Sequence, residues 1–138
     1  MKTSLATLIF LIAIFAGGAF SQTVTVIPKL TPEQMTAMEK VKADAEKKSA
    51  PIAIQLAATS KKIFENMLSG KEDQKLRLRL AKDLHRFAGQ LLDIKGQSYR
   101  DTIAILTPVQ KGVVMAELNK PGPPADLEEI IGRAFGTH

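Results

Sequence analysis

The sequence holds 138 residues with a net charge of +5, no cysteine and no tryptophan. A chain of that length suits one domain with a modest core, and an exported form of it would have to stand on packing alone, without disulfides. With no thiol and only two histidines, widely separated, it also lacks the nucleophile-beside-base pattern of covalent catalysis, and nothing in it reads as an enzyme.

Lys2 opens the chain, and Leu5 to Phe20 is almost wholly apolar. Ala19-Phe20-Ser21 then offers small residues at the two positions a signal peptidase reads, so residues 1–21 are expected to be a cleaved export signal and Gln22 the mature start. The apolar run is too short for a preferred membrane anchor. Cleavage removes only Lys2 among the charges, leaving 117 residues with 18 basic and 14 acidic groups, a net +4. Export argues against nucleic acid as the partner of this basic surface; anionic lipid, lipopolysaccharide or acidic stretches of unfolded protein suit it better.

Residues 22–29 alternate like a strand but are too short to pair, and read as an extended arm. A first helix is expected from Pro32, carrying Met35, Met38, Val41 and Ala45 at helical spacing, with Pro51 ending or kinking it and Ser49 as the next cap. A second runs from about Ala50 to Leu68, with Ile52, Leu56, Ile63 and Met67 along one stripe and Ser69-Gly70 closing it. The third is the long one, from about Glu72 to Ile105, with a seam of Leu76, Leu80, Leu84, Phe87, Leu91 and Ile94 continued by Tyr99, Ile103 and Leu106. At 1.5 Å per residue it would span roughly 50 Å and need a partner along its face. A fourth runs from Pro108 to about Asn119, and Lys120-Pro-Gly-Pro-Pro124 breaks it. After Asp126, Leu127, Ile130, Ile131, Ala134 and Phe135 form a last short amphipathic helix, expected to pack on the core. The fold class is therefore all-α: an elongated helical hairpin of four to five helices with one long central helix, expected as a homodimer. Residues 30–120 form its main domain, and 121–138 a Pro/Gly linker with the short C-terminal helix.

Two stretches repeat. Leu30-Thr31-Pro32-Glu33-Gln34 returns as Leu106-Thr107-Pro108-Val109-Gln110, 76 residues further on. Each reads as a helix start: threonine as N-cap, proline at the first helical position, and glutamine placed to bond back to the cap's own N–H. In the first copy Leu30 and Met35 are also placed for a hydrophobic staple. Thr31, Gln34, Thr107 and Gln110 are thus assigned to structure.

The pair of motifs, their spacing and the export signal resemble the LTxxQ-motif family of bacterial periplasmic proteins, over roughly Leu30 to Lys120. That family includes Spy- and CpxP-type stress chaperones and related zinc-resistance and heavy-metal-sensor proteins. The resemblance implies a cradle-shaped periplasmic dimer that holds unfolded or misfolded clients without ATP.

Lys75, Arg79, Lys82 and Arg86 fall at i, i+4, i+7 and i+11 on the third helix, beside the leucine seam, with Arg77 in a neighbouring row. With Leu76 and Leu80 they are the candidate client-binding residues, cationic and apolar groups side by side on a concave wall. A solvated charged face is the plainer reading of the same stripe. Metal ligands are sparse: His85 and the terminal His138 are weak candidates for zinc or a similar divalent ion, and Met35 with Met38 has spacing fit for a soft metal but reads more simply as core. No cofactor is expected. The rival readings are a metal-responsive sensor or resistance protein, and an accessory inhibitor whose basic residues meet the periplasmic domain of a sensor kinase.

Overall fold

The computed structural model describes Val26 and residues 28–137; the expected export signal and most of the N-terminal arm lie outside them. The described residues are all-helical, in four helices: α1 (Pro32–Leu68), α2 (Gln74–Ile105), α3 (Pro108–Leu118) and α4 (Leu127–Phe135).

α1 begins at a complete capping box. The Gln34 N–H donates to Thr31 Oγ1 at 3.2 Å, and the Thr31 N–H donates to Gln34 Oε1 at 3.0 Å. The sequence reading divides this stretch at Pro51; instead one helix of 37 residues runs through it. Proline there removes the N–H that would reach the Lys47 carbonyl and crowds the preceding turn. Two things offset that. Pro51 is on the exposed side, where water can reach the freed carbonyl, and half-buried Ala45, Ser49, Ile52 and Leu56 hold the helix to α2 on both sides of it. Ser49 is no cap: its hydroxyl donates to the Glu46 carbonyl at 3.1 Å.

The turn into α2 is clamped by Asn66. Its Nδ2 donates to the Asp73 carbonyl and its Oδ1 accepts from the Asp73 N–H, both at 3.0 Å. Gly70 takes the left-handed conformation, φ +72°, that lets the chain leave α1. Asp73 Oδ1 then caps α2 by accepting from the Leu76 N–H at 2.9 Å. With Asp73 committed to the cap, Arg77 pairs with Glu72 at 2.9 Å.

α1 and α2 pack antiparallel, tied by Asn66 and Asp73 at one end and by Gln34 Nε2 donating to the Ile105 carbonyl, 2.9 Å, at the other. The fold thus has two long helices, about 55 and 48 Å at 1.5 Å per residue, rather than one. The expected leucine seam is the face turned to α1. Leu80 is buried, while Leu76, Leu84, Phe87, Leu91 and Ile94 are only half-buried, because two helices alone cannot enclose a side chain.

The main core sits at the end where the helices begin and finish. Leu106, Val114, Ile130, Ile131 and Ala134 are buried together there, with Leu30, Met38, Val113, Ala125, Leu127 and Phe135 around them. α4, capped by Asp126 and closed by Gly136 at φ +68°, packs on this end as its apolar stripe requires. Lys42 on α1 bridges to Glu128 on α4 at 2.8 Å.

Candidate functional site

The two motif copies meet. Gln34 Oε1 accepts from its own Thr31 N–H and, at 3.0 Å, from Gln110 Nε2. Gln110 Oε1 accepts from its own Thr107 N–H at 2.9 Å and from Gln34 Nε2 at 2.8 Å. Each amide donates its second hydrogen across to the other copy: Gln34 to the Ile105 carbonyl and Gln110 to the Lys29 carbonyl, 3.1 Å. Lys29 and Ile105 each stand two residues before the motif threonine, so the node has local two-fold symmetry. Gln110 is 3% exposed and fully satisfied. The repeated motif was visible in the sequence. That the copies bond to each other was not, because each capping box is complete without its twin.

Two clefts open on opposite sides of the α1–α2 seam, sharing Ala45, Ile94 and Ser98 as their common floor. The first, about 660 Å³, lies under α4 and takes in Met38, Lys42, Ser49, Leu91, Lys95 and Tyr99. The second, about 300 Å³, is lined by Val41, Asp44, Lys48, Asp93, Gln97 and Asp101. Seven-residue steps keep to one side of a helix. From Asp93 they lead to Arg86 and Arg79, with Lys75 and Lys82 one turn away, so the basic stripe continues the second cleft's side.

The stripe residues Lys75, Arg79, Lys82 and Arg86 are all exposed. Arg86 pairs with Asp83 at 3.0 Å and lies over the Phe87 ring, 4.9 Å from its centre. Lys75, Arg79 and Lys82 make no ion pair among the described residues. Arg77 does not join them: two residues from Arg79 it points to the other side, where Glu72 holds it. Of the apolar candidates, Leu76 is half-buried and Leu80, 7% exposed, faces α1. The apolar group standing open beside the stripe is Leu78, 63% exposed, between Lys75 and Lys82 on the helix surface. Phe64, Met67 and Leu68 stand open at the same tip, on α1, and Leu92 further along α2. Sequence reasoning passed over Leu78 because the neighbouring seam residues are also leucines and which row meets α1 is a tertiary fact.

His85 is exposed, in line with Leu78 and Leu92. His138 lies outside the described residues. Among those described, no three histidines or carboxylates stand together to hold a metal ion. Met35 and Met38 line the first cleft, Met38 packing at the edge of the core. No described helix is long and apolar enough to cross a membrane.

Two charged groups at the first cleft are perturbed. The Lys42 ammonium is held above its ordinary pKa by its hydrogen bond to Glu128, then by that carboxylate's charge, with Glu46 and Asp126 adding to it. Lys95 is raised by its hydrogen bond to Tyr99 first, with smaller help from the Tyr99, Asp126 and Glu128 charges.

The chain matches no family model, no curated protein and no solved structure.

Proposed function

We propose that this chain is a periplasmic, ATP-independent holding protein that binds unfolded or misfolded envelope proteins weakly and reversibly. The observation that carries the reading is the open tip of the α1–α2 pair. There Leu78 lies between the uncompensated cations Lys75 and Lys82, with Arg79 beside them and Phe64, Met67 and Leu68 exposed on α1. Unfolded chains offer scattered apolar side chains and acidic stretches, and an exposed helical surface of that kind can meet both without a deep pocket. Cations would steer encounter and apolar contacts would slow release. The resemblance of the two LTPxQ motifs supports the same reading, and with it export by residues 1–21. We further take the elongated hairpin to work as a homodimer. Two helices leave Ile54, Phe64 and Leu68 of α1 uncovered, as well as Leu78 and Leu92 of α2, and a second copy would cover part of this surface.

The test is light scattering of a chemically denatured client diluted into buffer with the 22–138 chain, which retains every described residue, at equimolar ratio and without ATP. Suppressed aggregation that weakens with added salt and is lost in a Lys75→Glu, Arg79→Glu, Lys82→Glu variant supports the proposal. Suppression lost only in Leu78→Ser keeps the activity and assigns it to apolar contact. Absence of suppression at several-fold excess overturns it and leaves the resemblance a statement about helix caps.

A further inference from the structure

The charge of this chain is not spread evenly along it. From Lys61 to Arg86, across the end of α1, the turn and the start of α2, there are eight basic and four acidic residues, whereas the other described residues hold ten of each. The whole net charge of +4 therefore belongs to the tip. Its four carboxylates are already engaged: Glu65 with Lys61 at 3.7 Å, Glu72 with Arg77 at 2.9 Å, Asp83 with Arg86 at 3.0 Å, and Asp73 as the α2 cap. Lys62, Lys71, Lys75, Arg79 and Lys82 are exposed and make no ion pair among the described residues.

Apolar groups stand out at the same end. Leu68, the last residue of α1, is 85% exposed, and Phe64, Met67 and Leu78 are each more than half exposed. None of residues 50–90 lines either cleft, so these side chains project from the end of the helix pair instead of enclosing a groove. Such a surface fits a partner that receives side chains and is acidic where it meets the cations. A bilayer with anionic headgroups has both properties, charged at its surface and apolar beneath. Unlike an unfolded chain, it offers them as layers already formed, with no chain entropy to lose. Lys75, Arg79 and Lys82 all lie within about 12 Å of the start of α2 at 1.5 Å per residue. Lysine stems can keep their ammonium groups among the headgroups while a neighbouring leucine sinks below them.

We propose that the tip docks end-on against an anionic lipid bilayer. Leu68, Met67 and Phe64 enter the boundary between headgroups and acyl chains, and the five unpaired cations rest on the headgroups. The surface is the one assigned to clients above, but the lipid contact does not depend on that assignment.

Cosedimentation of the 22–138 chain with vesicles tests it. Binding should be about a hundredfold tighter on phosphatidylcholine containing about one-third phosphatidylglycerol than on phosphatidylcholine alone, since each cation near such a surface adds to the attraction. It should weaken steeply toward about 1 M salt, where charges are screened beyond about 3 Å. Lys75→Gln, Arg79→Gln, Lys82→Gln should lower the affinity about tenfold or more. Lys47→Gln, Lys48→Gln, Lys111→Gln removes three cations that are also exposed and unpaired among the described residues, but outside the tip, and should change it little. The chain has no tryptophan, so Leu68→Trp reports the tip alone, and its emission should move to the blue on anionic vesicles. Val109→Trp, exposed at the motif end, should not shift. Far-ultraviolet circular dichroism confirms that each variant is folded. Equal binding to neutral vesicles overturns the proposal, as does an equal loss in the two lysine and arginine variants, or an unshifted Leu68→Trp in sedimented protein. Suppressed client aggregation without vesicle binding also overturns it and leaves the client reading standing; vesicle binding without suppression does the reverse.

Discussion

Gln110 offers two acceptor positions and two donor hydrogens on its side chain, and all four are taken while the residue is 3% exposed. Truncation to alanine leaves the Lys29 carbonyl, the Thr107 N–H and one side of Gln34 without their partner, around a side chain that is itself buried. Gln110→Ala should therefore cost about 2–3 kcal/mol in urea denaturation, since a buried group left unpaired costs more than the bond itself contributes. Gln34 is only half-buried, so water can replace some of its bonds, and Gln34→Ala should cost about 1 kcal/mol. The double variant should lose less than the sum, with a coupling of about 1 kcal/mol; strict additivity would mean that the two amides do not bond in solution. Thr31→Ala and Thr107→Ala each remove one cap acceptor and should cost about 1 kcal/mol. Gly89 gives the opposite prediction. It lies inside α2, and a Cβ there would meet nothing within 4 Å. Gly89→Ala should raise stability by up to about 1 kcal/mol, because alanine has less backbone freedom to lose and no neighbour to displace.

At the scale of the elements, Pro51 is the informative position, because a local rule and the tertiary structure disagree there. An interior proline costs a helix about 3 kcal/mol, yet α1 continues through it because its inward row holds α2 both before and after. Pro51→Ala restores the N–H toward the Lys47 carbonyl and gives back some freedom to the unfolded chain. The net should be a gain of about 2 kcal/mol, read as a higher denaturation midpoint at unchanged slope. A loss on that substitution would mean that α1 needs a bend at this point. The same conflict marks what the sequence could and could not reveal. Helix ends were legible wherever one or two residues decide them: Thr31, Thr107 and Asp126 as caps, Gly70 and the Pro121–Pro124 run as breaks. The inward row of α2 was legible from its leucine spacing. Whether Pro51 breaks α1 was not, since that depends on what packs beside it. Nor was it visible that Leu78 is open and Leu80 closed, or that Lys42 meets Glu128, 86 residues further on. For the candidate sites, the basic stripe could be read from one helix; the cleft could not, because three helices build it.

The whole molecule is unevenly held. Its apolar cluster of Leu106, Val114, Ile130, Ile131 and Ala134, the Gln34–Gln110 node and the Lys42–Glu128 bridge all lie toward the motif end. Toward the tip, among the described residues, α1 and α2 have only each other, with Leu80, Thr59 and Asn66 buried between them. Local opening follows buried contact, so amide hydrogen exchange should divide the long helices along their length. In a dilute sample the slowest amides should lie in α3, in α4 and in the adjoining ends of α1 and α2. Residues 56–80 should exchange faster, although they form regular helix. Mass action then turns the same measurement into a test of self-association. If a second copy covers the exposed apolar rows, protection at the tip rises with protein concentration while protection at the motif end stays fixed. If unfolded client occupies the tip instead, protection there rises on adding client at constant protein concentration and falls when Lys75, Arg79 and Lys82 are reversed in charge. A tip as well protected as the motif end at every concentration would contradict the division of the molecule into a held end and an open one.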